Sequence, residues 1–313
     1  MQRRTILLLG GTQFIGRNLA AELVREGHRV IVGGRRNFGG ETTTSSAPGA
    51  PLALELPLAE TDAIASLIRE QGVQTVVHMA SAMKPSNSLA EFVKEQTEIA
   101  LPTMQLGVRL AAMDVELVFL SSGGTVYGPV YGEAASENDR CAPISYYGLS
   151  KLGIENDLEF LGRTVGLRFL TLRVSNPFGR HQGLHGAQGV ISVALGKVVD
   201  RAPLEIWGDG TSIRDYIYID DLVATIRTLI ESDVRGLTLN VGSGVGHSLL
   251  EVAATIRAVT GRQLDLKFQK ARAVDVPRLV LDVSRLRQLG MHRTRPLECG
   301  IRAYAAELGL IDG

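Results

Sequence analysis

The order of apolar segments predicts an α/β protein, a doubly wound parallel sheet with a smaller C-terminal lobe. Three observations carry that reading. Between residues 5 and 174, short aliphatic runs alternate with stretches of helical periodicity. The runs are apolar throughout rather than every second residue, as strands buried on both faces read. After Pro177 the rhythm weakens into shorter elements and glycine turns, which marks the second lobe.

The elements follow in order. Thr5-Ile6-Leu7-Leu8-Leu9 is a buried strand ended by Gly10-Gly11. Residues 14–26 carry Phe14, Ile15, Leu19 and Leu23 at helical spacing and stop at Gly27. Residues 29–32 form a second strand, and residues 37–51, rich in Gly, Ser, Thr and Pro, a long loop. Residues 60–71 read as a helix and 75–78 as a strand. A long helix is expected over 89–113, kinked or broken at Pro102, whose ring removes a backbone N–H. A strand over 115–120, a helix over 147–165 and a strand over 167–174 complete the alternation.

Composition narrows the function. Hydrophobic residues make 45% and charged residues 21%, the mix of a folded globule rather than a disordered chain. Thirty-three basic residues balance thirty-three acidic ones, and no basic run exceeds two, so no nucleic-acid footprint is present. No apolar run approaches the roughly 20 residues of a membrane span. The first residues are too short an apolar stretch for a signal peptide. Cys141 and Cys299 form neither a metal spacing nor a disulfide framework, and a reducing cytoplasmic setting is expected.

The chemistry begins at Gly10-Gly11-Thr12-Gln13-Phe14-Ile15-Gly16, directly between the first strand and the first helix. That context is what a dinucleotide fingerprint requires, because the helix N-terminus offers oriented N–H groups to a pyrophosphate. One position departs: Gln13 stands where the backbone should come closest to the phosphates, so its Cβ must point away. At the end of the second strand, Gly33-Gly34-Arg35-Arg36 carries no acid. A carboxylate there would suit the ribose hydroxyls of NAD, whereas arginines pair with a 2′-phosphate. NADP is therefore expected, with NAD as the alternative.

Tyr147 and Lys151 lie four residues apart on one helix face, after a strand ending in Ser121-Ser122-Gly123-Gly124-Thr125-Val126-Tyr127-Gly128. An ammonium beside a phenol favours the phenolate, which would let Tyr147 exchange a proton with a substrate hydroxyl.

With these residues in place the chain resembles the extended short-chain dehydrogenase/reductase family, in the branch of UDP-glucose 4-epimerase and other nucleotide-sugar epimerases, dehydratases and reductases. The likeness extends through His78-Met79-Ala80-Ser81, Leu172-Arg173-Val174-Ser175-Asn176-Pro177-Phe178-Gly179, Trp207-Gly208-Asp209-Gly210-Thr211, Arg214-Asp215-Tyr216, Asp220-Asp221-Leu222-Val223 and Asn240-Val241-Gly242-Ser243-Gly244. It implies a doubly wound parallel (Rossmann) sheet, with residues 1–176 and returning segments near 213–243 binding the dinucleotide. Residues 177–313 would mainly bind the substrate. It further implies Tyr147 as acid/base and Lys151 on the nicotinamide ribose, lowering the tyrosine pKa. Gly10, Thr12, Gln13, Phe14, Ile15, Gly16, Arg35, Arg36, Met79, Ala80 and Ser81 would line the cofactor. Lys84, Asn176 and Arg214 would meet the nucleotide sugar, Arg214 being otherwise an ion-pair partner of Asp215 or Asp220. His78 would be a structural strand-end residue.

The resemblance has a second departure. Gly123 stands where the family carries a catalytic hydroxyl, so Thr125 or Ser122 must take that role. Thr125 shares strand parity with Gly123 and is the better candidate if the alternation continues that far. The implied reaction is NAD(P)-dependent epimerisation at sugar C4 in a homodimer. Reduction of a 4-keto sugar by NADPH is the first alternative, and a non-catalytic NADP-binding protein of the same fold is the second. A dehydratase is disfavoured, because Gly123-Gly124-Thr125 lacks the acid pair of that branch.

Overall fold

The computed structural model describes residues 3–34, 50–83, 88–130, 132–186, 188–270 and 276–312. The chain divides into two compact units. The first comprises Met1–Val126, Pro143–Arg173 and Ile226–Leu239. It holds β1 (Thr5–Leu9), α1 (Phe14–Arg25), β2 (Arg29–Gly34), β3 (Leu52–Glu55), α2 (Thr61–Gln71), β4 (Thr75–His78), α3 (Leu89–Glu95), α4 (Leu101–Ala112), β5 (Glu116–Ser122) and α5 (Tyr146–Val165). β6 (Phe169–Val174) follows.

β1 pairs in parallel with both β2 and β4, so Leu8 faces Val32 on one side and Val77 on the other. The seven-stranded parallel sheet runs β10-β6-β5-β4-β1-β2-β3 when β10 (Leu237–Val241) is included. Its strands are buried on both faces, as their continuous apolar sequences predict. Leu7, Ile31, Val76, Leu117 and Phe119 pack with Leu158 and Leu161 of α5 in one core. β3, at the sheet edge, escapes the sequence reading because its short Leu52-Ala53-Leu54 run follows directly on the Gly/Ser/Thr/Pro-rich stretch and ends in Glu55. The loop expected over 37–51 falls, save its last two residues, outside the described residues.

The helix expected over 89–113 changes character just before Pro102. α3 ends at Glu95, a π-helical turn covers Gln96–Ala100, and α4 resumes at Leu101. Leu101 N–H bonds to the Gln96 carbonyl, five residues back. Pro102 has no N–H to give Glu98 and its ring crowds that carbonyl, so the helix widens by one residue instead of breaking.

At the start of β5 a buried carboxylate is surrounded by arginines. Glu116 accepts from Arg4 at 2.8 Å, from Arg168 at 2.6 Å and from Arg235, and Thr75 Oγ1 donates to it at 3.3 Å.

The second unit comprises Tyr127–Ala142, Val174–Thr225 and Asn240–Gly313. It contains β7 (Asn176–Phe178), α6 (Val190–Asp200), β8 (Leu204–Trp207), β9 (Ile213–Tyr218), β11 (Gly246–Ser248), α8 (Leu249–Thr260), β12 (Leu266–Gln269), β13 (Arg278–Leu279), α9 (Ser284–Gln288) and α10 (Leu297–Glu307). β6, α7 (Ile219–Glu231) and β10 span the boundary between the units. β9 is the hub of a small sheet, flanked by β7, β11 and β13, and β8 pairs with β12. The buried Asp215 of β9 accepts from Ser243 N and Oγ, at 2.9 and 2.7 Å, and from Gly244 N at 3.0 Å, which fixes the glycine turn after β10. Among the described residues no helix is long and apolar enough to cross a membrane.

Candidate active site

The carboxyl ends of β1, β2 and β4 meet in a cradle that fits a dinucleotide. Gly10 has φ +78°, and a Cβ on it would lie 2.7 Å from the backbone of Ala80. Glycine is thus required for the first and fourth strands to exit this close together. Gly10 N–H also bonds to the Gly33 carbonyl at 2.9 Å. A Cβ on Gly34 would lie 2.8 Å from the Thr12 side chain, so a larger residue at the end of β2 would require that side chain to turn away. A Cβ on Gly16 would meet the backbone of Gly11 at 2.4 Å, which is the close packing expected of the last loop glycine.

Gln13 is the N-cap of α1, extended, exposed and, among the described residues, without a side-chain cap bond. The first-turn N–H groups of Phe14, Ile15 and Gly16 precede any intrahelical partner, and no acid stands in that turn. Those donors, with glycine at the close approach points, fit a pyrophosphate. Gln13 departs from the fingerprint without filling the cradle. Arg35 and Arg36 lie outside the described residues, as does Lys84.

Met79, Ala80 and Ser81 form the half-buried exit of β4, and two side chains fix it. His78 is fully buried. Its Nδ1 accepts from Ala80 N–H at 3.1 Å, so the ring proton sits on Nε2 and points at Thr103 Oγ1, 2.7 Å away. Thr103 in turn donates to the Ile99 carbonyl at 2.6 Å. Burial, with the Lys151 charge nearby, lowers the His78 pKa to about 3, so the imidazole is neutral. The second side chain is Glu95, also fully buried, whose carboxylate accepts from Ser81 Oγ at 2.9 Å and from Ala82 N–H at 2.6 Å.

Tyr147 and Lys151 occupy the first turns of α5. Ser145 caps the helix, its Oγ accepting from Gly148 N–H at 3.1 Å. A Cβ on Gly148 would meet the Thr125 carbonyl at 2.5 Å, so glycine brings the helix start against Thr125. The strand alternation does not reach Thr125: β5 ends at Ser122, and residues 123–125 turn, with Thr125 N–H and Val126 N–H both bonding the Ser122 carbonyl at 3.1 Å. The parity argument for Thr125 therefore fails, and what the structure shows is its carbonyl against Gly148, the residue after Tyr147. Its hydroxyl donates at 3.5 Å to the Ser122 carbonyl.

Lys151 is 2% exposed, and its Nζ lies 5.7 Å from the Tyr147 ring centroid and 4.9 Å from that of Phe119. Its Nζ donates to the Leu120 carbonyl at 3.4 Å. Glu155, one turn further along the same face, is committed elsewhere: it accepts from Ser121 Oγ and holds Arg173 at 2.7 Å. Burial pulls the Lys151 pKa down to about 8 although the Glu95 and Glu155 charges act against it. The Tyr147 phenol is pushed up to about 12 by burial and by the Glu95 charge. The lowered tyrosine pKa implied by the resemblance is not found in the protein alone, where burial and the Glu95 charge both raise it.

Sequence reading missed Glu95, Glu155 and Arg173. Glu155 carried a signal, since 147, 151 and 155 share one helix face. Glu95 carried none: Lys94-Glu95-Gln96-Thr97-Glu98 reads as a solvated stretch, and only the fold buries its second residue.

In the second unit, Asn176 and Arg214 sit on the neighbouring strands β7 and β9. Asn176 Nδ2 donates to the Asp215 carbonyl at 2.8 Å, and Arg214 donates to the carbonyl of Ile213 at 2.9 Å. Asp220 pairs with Arg180 at 2.6 Å, and the Asp215 carboxylate is taken up by the 243–244 turn.

A parallel α/β sheet with a glycine cradle at its carboxyl edge, and a tyrosine–lysine pair on the adjoining helix, defines a nicotinamide-dinucleotide enzyme. Residues 6–242 match the NAD dependent epimerase/dehydratase family, and the chain belongs to that family. It is 33% identical to the dTDP-4-dehydro-6-deoxyglucose reductase of Escherichia coli over 75% of each chain. It is 31% identical to the UDP-glucose 4-epimerase of Azospirillum brasilense over 91% of this chain and 86% of that one. The crystal structure of Thermus thermophilus UDP-glucose 4-epimerase in complex with NAD superposes with a TM-score of 0.86 at 27% identity, covering 97% of this chain and 99% of that one.

Proposed function

We propose that this protein is an NAD(P)-dependent nucleotide-sugar 4-epimerase in which Tyr147 is the acid/base. The observation that supports it most is the Tyr147–Lys151 pair, with the buried Lys151 Nζ 5.7 Å from the Tyr147 ring centroid, in a chain similar to UDP-glucose 4-epimerases over most of its length. The cofactor would be held by Gly10, Thr12, Gln13, Phe14, Ile15 and Gly16 at its pyrophosphate and by Met79, Ala80 and Ser81 at the β4 exit. Bound there, a nicotinamide dinucleotide supplies the hydride acceptor and donor for sugar C4.

The chain's residues handle the proton. Tyr147 Oη takes the proton of the C4 hydroxyl as the ketone forms and returns it when the hydroxyl is restored. Lys151 holds a ribose hydroxyl and places positive charge by the phenol. Thr125 or Ser122 would bond the reacting oxygen, since Gly123 cannot. With its pKa pushed up to about 12, Tyr147 is a phenol at neutral pH in the protein alone, and the cationic nicotinamide of the oxidised cofactor favours the phenolate. Residues 1–176, with segments near 213–243, would bind the cofactor and residues 177–313 mainly the substrate. Lys84, Asn176 and Arg214 would contact the nucleotide sugar.

Arg35 and Arg36, with no acid at Gly33 or Gly34, favour NADP over NAD, because arginines pair with a 2′-phosphate. A cytoplasmic homodimer is part of the reading. Leu101 and Val108 of α4 and Leu149 and Phe160 of α5 are exposed apolar residues at helical spacing, a face suited to pairing with a second copy. Light scattering should find two chains per particle in the wild type and one after Leu101→Glu/Phe160→Glu.

A second reading, NADPH-dependent reduction of a nucleotide 4-keto sugar, is favoured by the 33% identity to the E. coli reductase and by Gln13 in the glycine loop. The two readings separate in one assay. Purified protein freed of loose nucleotide is given UDP-glucose without added cofactor. Appearance of its C4 epimer establishes the epimerase. Stoichiometric loss of NADPH absorbance with a 4-keto sugar, and no epimer, establishes the reductase. Neither activity despite cofactor binding leaves the non-catalytic reading.

A further inference from the structure

Glu95 has the features of a working residue. It closes α3 at the point where the helix widens into a π-turn, an irregularity often found at functional sites. Its side chain is buried completely, and burying a carboxylate is costly unless its charge is met. Two donors meet part of it, Ser81 Oγ at 2.9 Å and Ala82 N–H at 2.6 Å, both on the β4 exit. Among the described residues no salt bridge reaches it, and the buried cation in its field is Lys151. The next residue ties the same turn to α5: Gln96 Nε2 donates to Ser150 Oγ at 3.3 Å.

Among the described residues, the charged and titratable groups around Lys151 are few. Tyr147 lies on α5 with its ring centroid 5.7 Å from the Lys151 Nζ, the charges of Glu155 on α5 and of Glu95 at the end of α3 act on Lys151, and the Lys151 charge acts on His78 of β4. Glu155 is neutralised by Arg173 at 2.7 Å from β6, and His78 is uncharged. Glu95 is therefore the acid whose charge is left to Lys151.

We propose that Glu95 is a positioning residue for the reaction: its carboxylate clamps the Ser81–Ala82 exit of β4 and provides the charge that the buried Lys151 ammonium faces. The proposal rests on the Tyr147–Lys151 reading above, but its main test needs neither cofactor nor turnover. Through Glu95, the segment that would line the cofactor and the lysine that would hold its ribose share one anchor. The same carboxylate disfavours a Tyr147 phenolate until a cation arrives, so the proton stays on the phenol in the empty enzyme.

Glu95→Gln isolates the charge. An amide can still accept from Ala82 N–H and donate to Ser81 Oγ, whose hydroxyl can turn to the Met83 carbonyl, 3.4 Å away. Lysine isotope-labelled at Cε is followed by NMR through a pH titration of the cofactor-free protein. The Lys151 signal, identified by its loss in Lys151→Met, should titrate near 8 in the wild type. In Glu95→Gln it should move down by about one pH unit or more, the effect of removing one close opposite charge. Ser81→Ala should leave that titration in place while weakening cofactor binding, which is the clamp read separately. If Glu95→Gln does not fold, Glu95→Asp keeps the charge and should hold the Lys151 titration within about half a unit of wild type. A Lys151 titration unmoved by Glu95→Gln, or moved a full unit by Glu95→Asp, would overturn the proposal. A protein that passes this titration yet lacks epimerase and reductase activity would refute the function reading alone.

Discussion

β5 begins and ends in buried charge, and the two ends are built oppositely. At its first residue, Glu116 is met by three guanidinium groups and a hydroxyl, so every part of the charge has a partner. Beyond its last residues, Lys151 is buried as deeply with, among the described residues, one 3.4 Å hydrogen bond and no salt bridge; the nearest acid on its helix is spent on Arg173, and the charge left to it is that of Glu95. A saturated cluster fixes structure, because removing any member strands the others. An ammonium held short of partners costs stability, and such a cost persists where a ligand is to complete the set. The difference assigns the N-terminal edge of the sheet to folding and the carboxyl edge to chemistry, where parallel sheets bind their ligands.

Substitutions at the two ends should therefore fail in different ways. Tyr147→Phe, at the carboxyl edge, keeps the ring and removes the ionisable oxygen; turnover should fall by about 10²–10⁴-fold. Cofactor titration and urea midpoint should stay near wild type, and near-normal turnover would remove Tyr147 from the mechanism. Glu116→Ala should do the reverse. Stranding three arginines should cost about 3–5 kcal/mol in urea denaturation, while the remaining folded protein keeps its turnover.

Gly10→Ala sharpens the comparison at the cradle. A Cβ at φ +78°, 2.7 Å from the Ala80 backbone, should cost about 1–3 kcal/mol and weaken cofactor binding more than it slows turnover at saturation. The smallest effect is expected from Arg35→Ala/Arg36→Ala. NADPH affinity, followed by nicotinamide fluorescence, should fall by about tenfold or more with NADH affinity unchanged. An enzyme that already binds NADH as tightly, before and after the change, would reverse the cofactor preference.

Much of this was legible in the chain. Aliphatic runs at 5–9, 75–78 and 169–174 announce doubly buried strands, because only such strands need no polar face. The glycine loop is legible because Gly10 and Gly16 are demanded by backbone contacts that any side chain would obstruct. Tyr147 and Lys151 are legible through spacing and position. What escaped was set by distant packing. The edge strand β3 is a run of only three apolar residues directly after the Gly/Ser/Thr/Pro-rich stretch, and Glu95 looks like its solvated neighbours until the fold buries it. Thr125 was placed by strand parity, but β5 stops three residues earlier, at Ser122, because two N–H groups fold back onto the Ser122 carbonyl. The rise of the Tyr147 pKa in the cofactor-free protein is not legible in the sequence, because desolvation and the buried Glu95 charge are set by the fold.

The claim that an under-partnered Lys151 marks the catalytic edge is tested most directly by the pH dependence of stability and turnover together. Burial lowers the Lys151 pKa from 10.5 to about 8, so between those values the unfolded chain binds a proton that the folded one does not. Stability from this group must therefore rise with pH across that window, having been depressed below it. Tyr147, raised from 10.0 to about 12, works the other way, and only above pH 10. Urea denaturation of wild type and Lys151→Met should be followed from about pH 7 to about pH 10, with wild-type turnover measured alongside. The stability of the wild type relative to Lys151→Met should increase steadily above pH 8, while its turnover declines over the same range. A pH-independent difference in stability, with turnover undiminished to pH 10, would contradict the account.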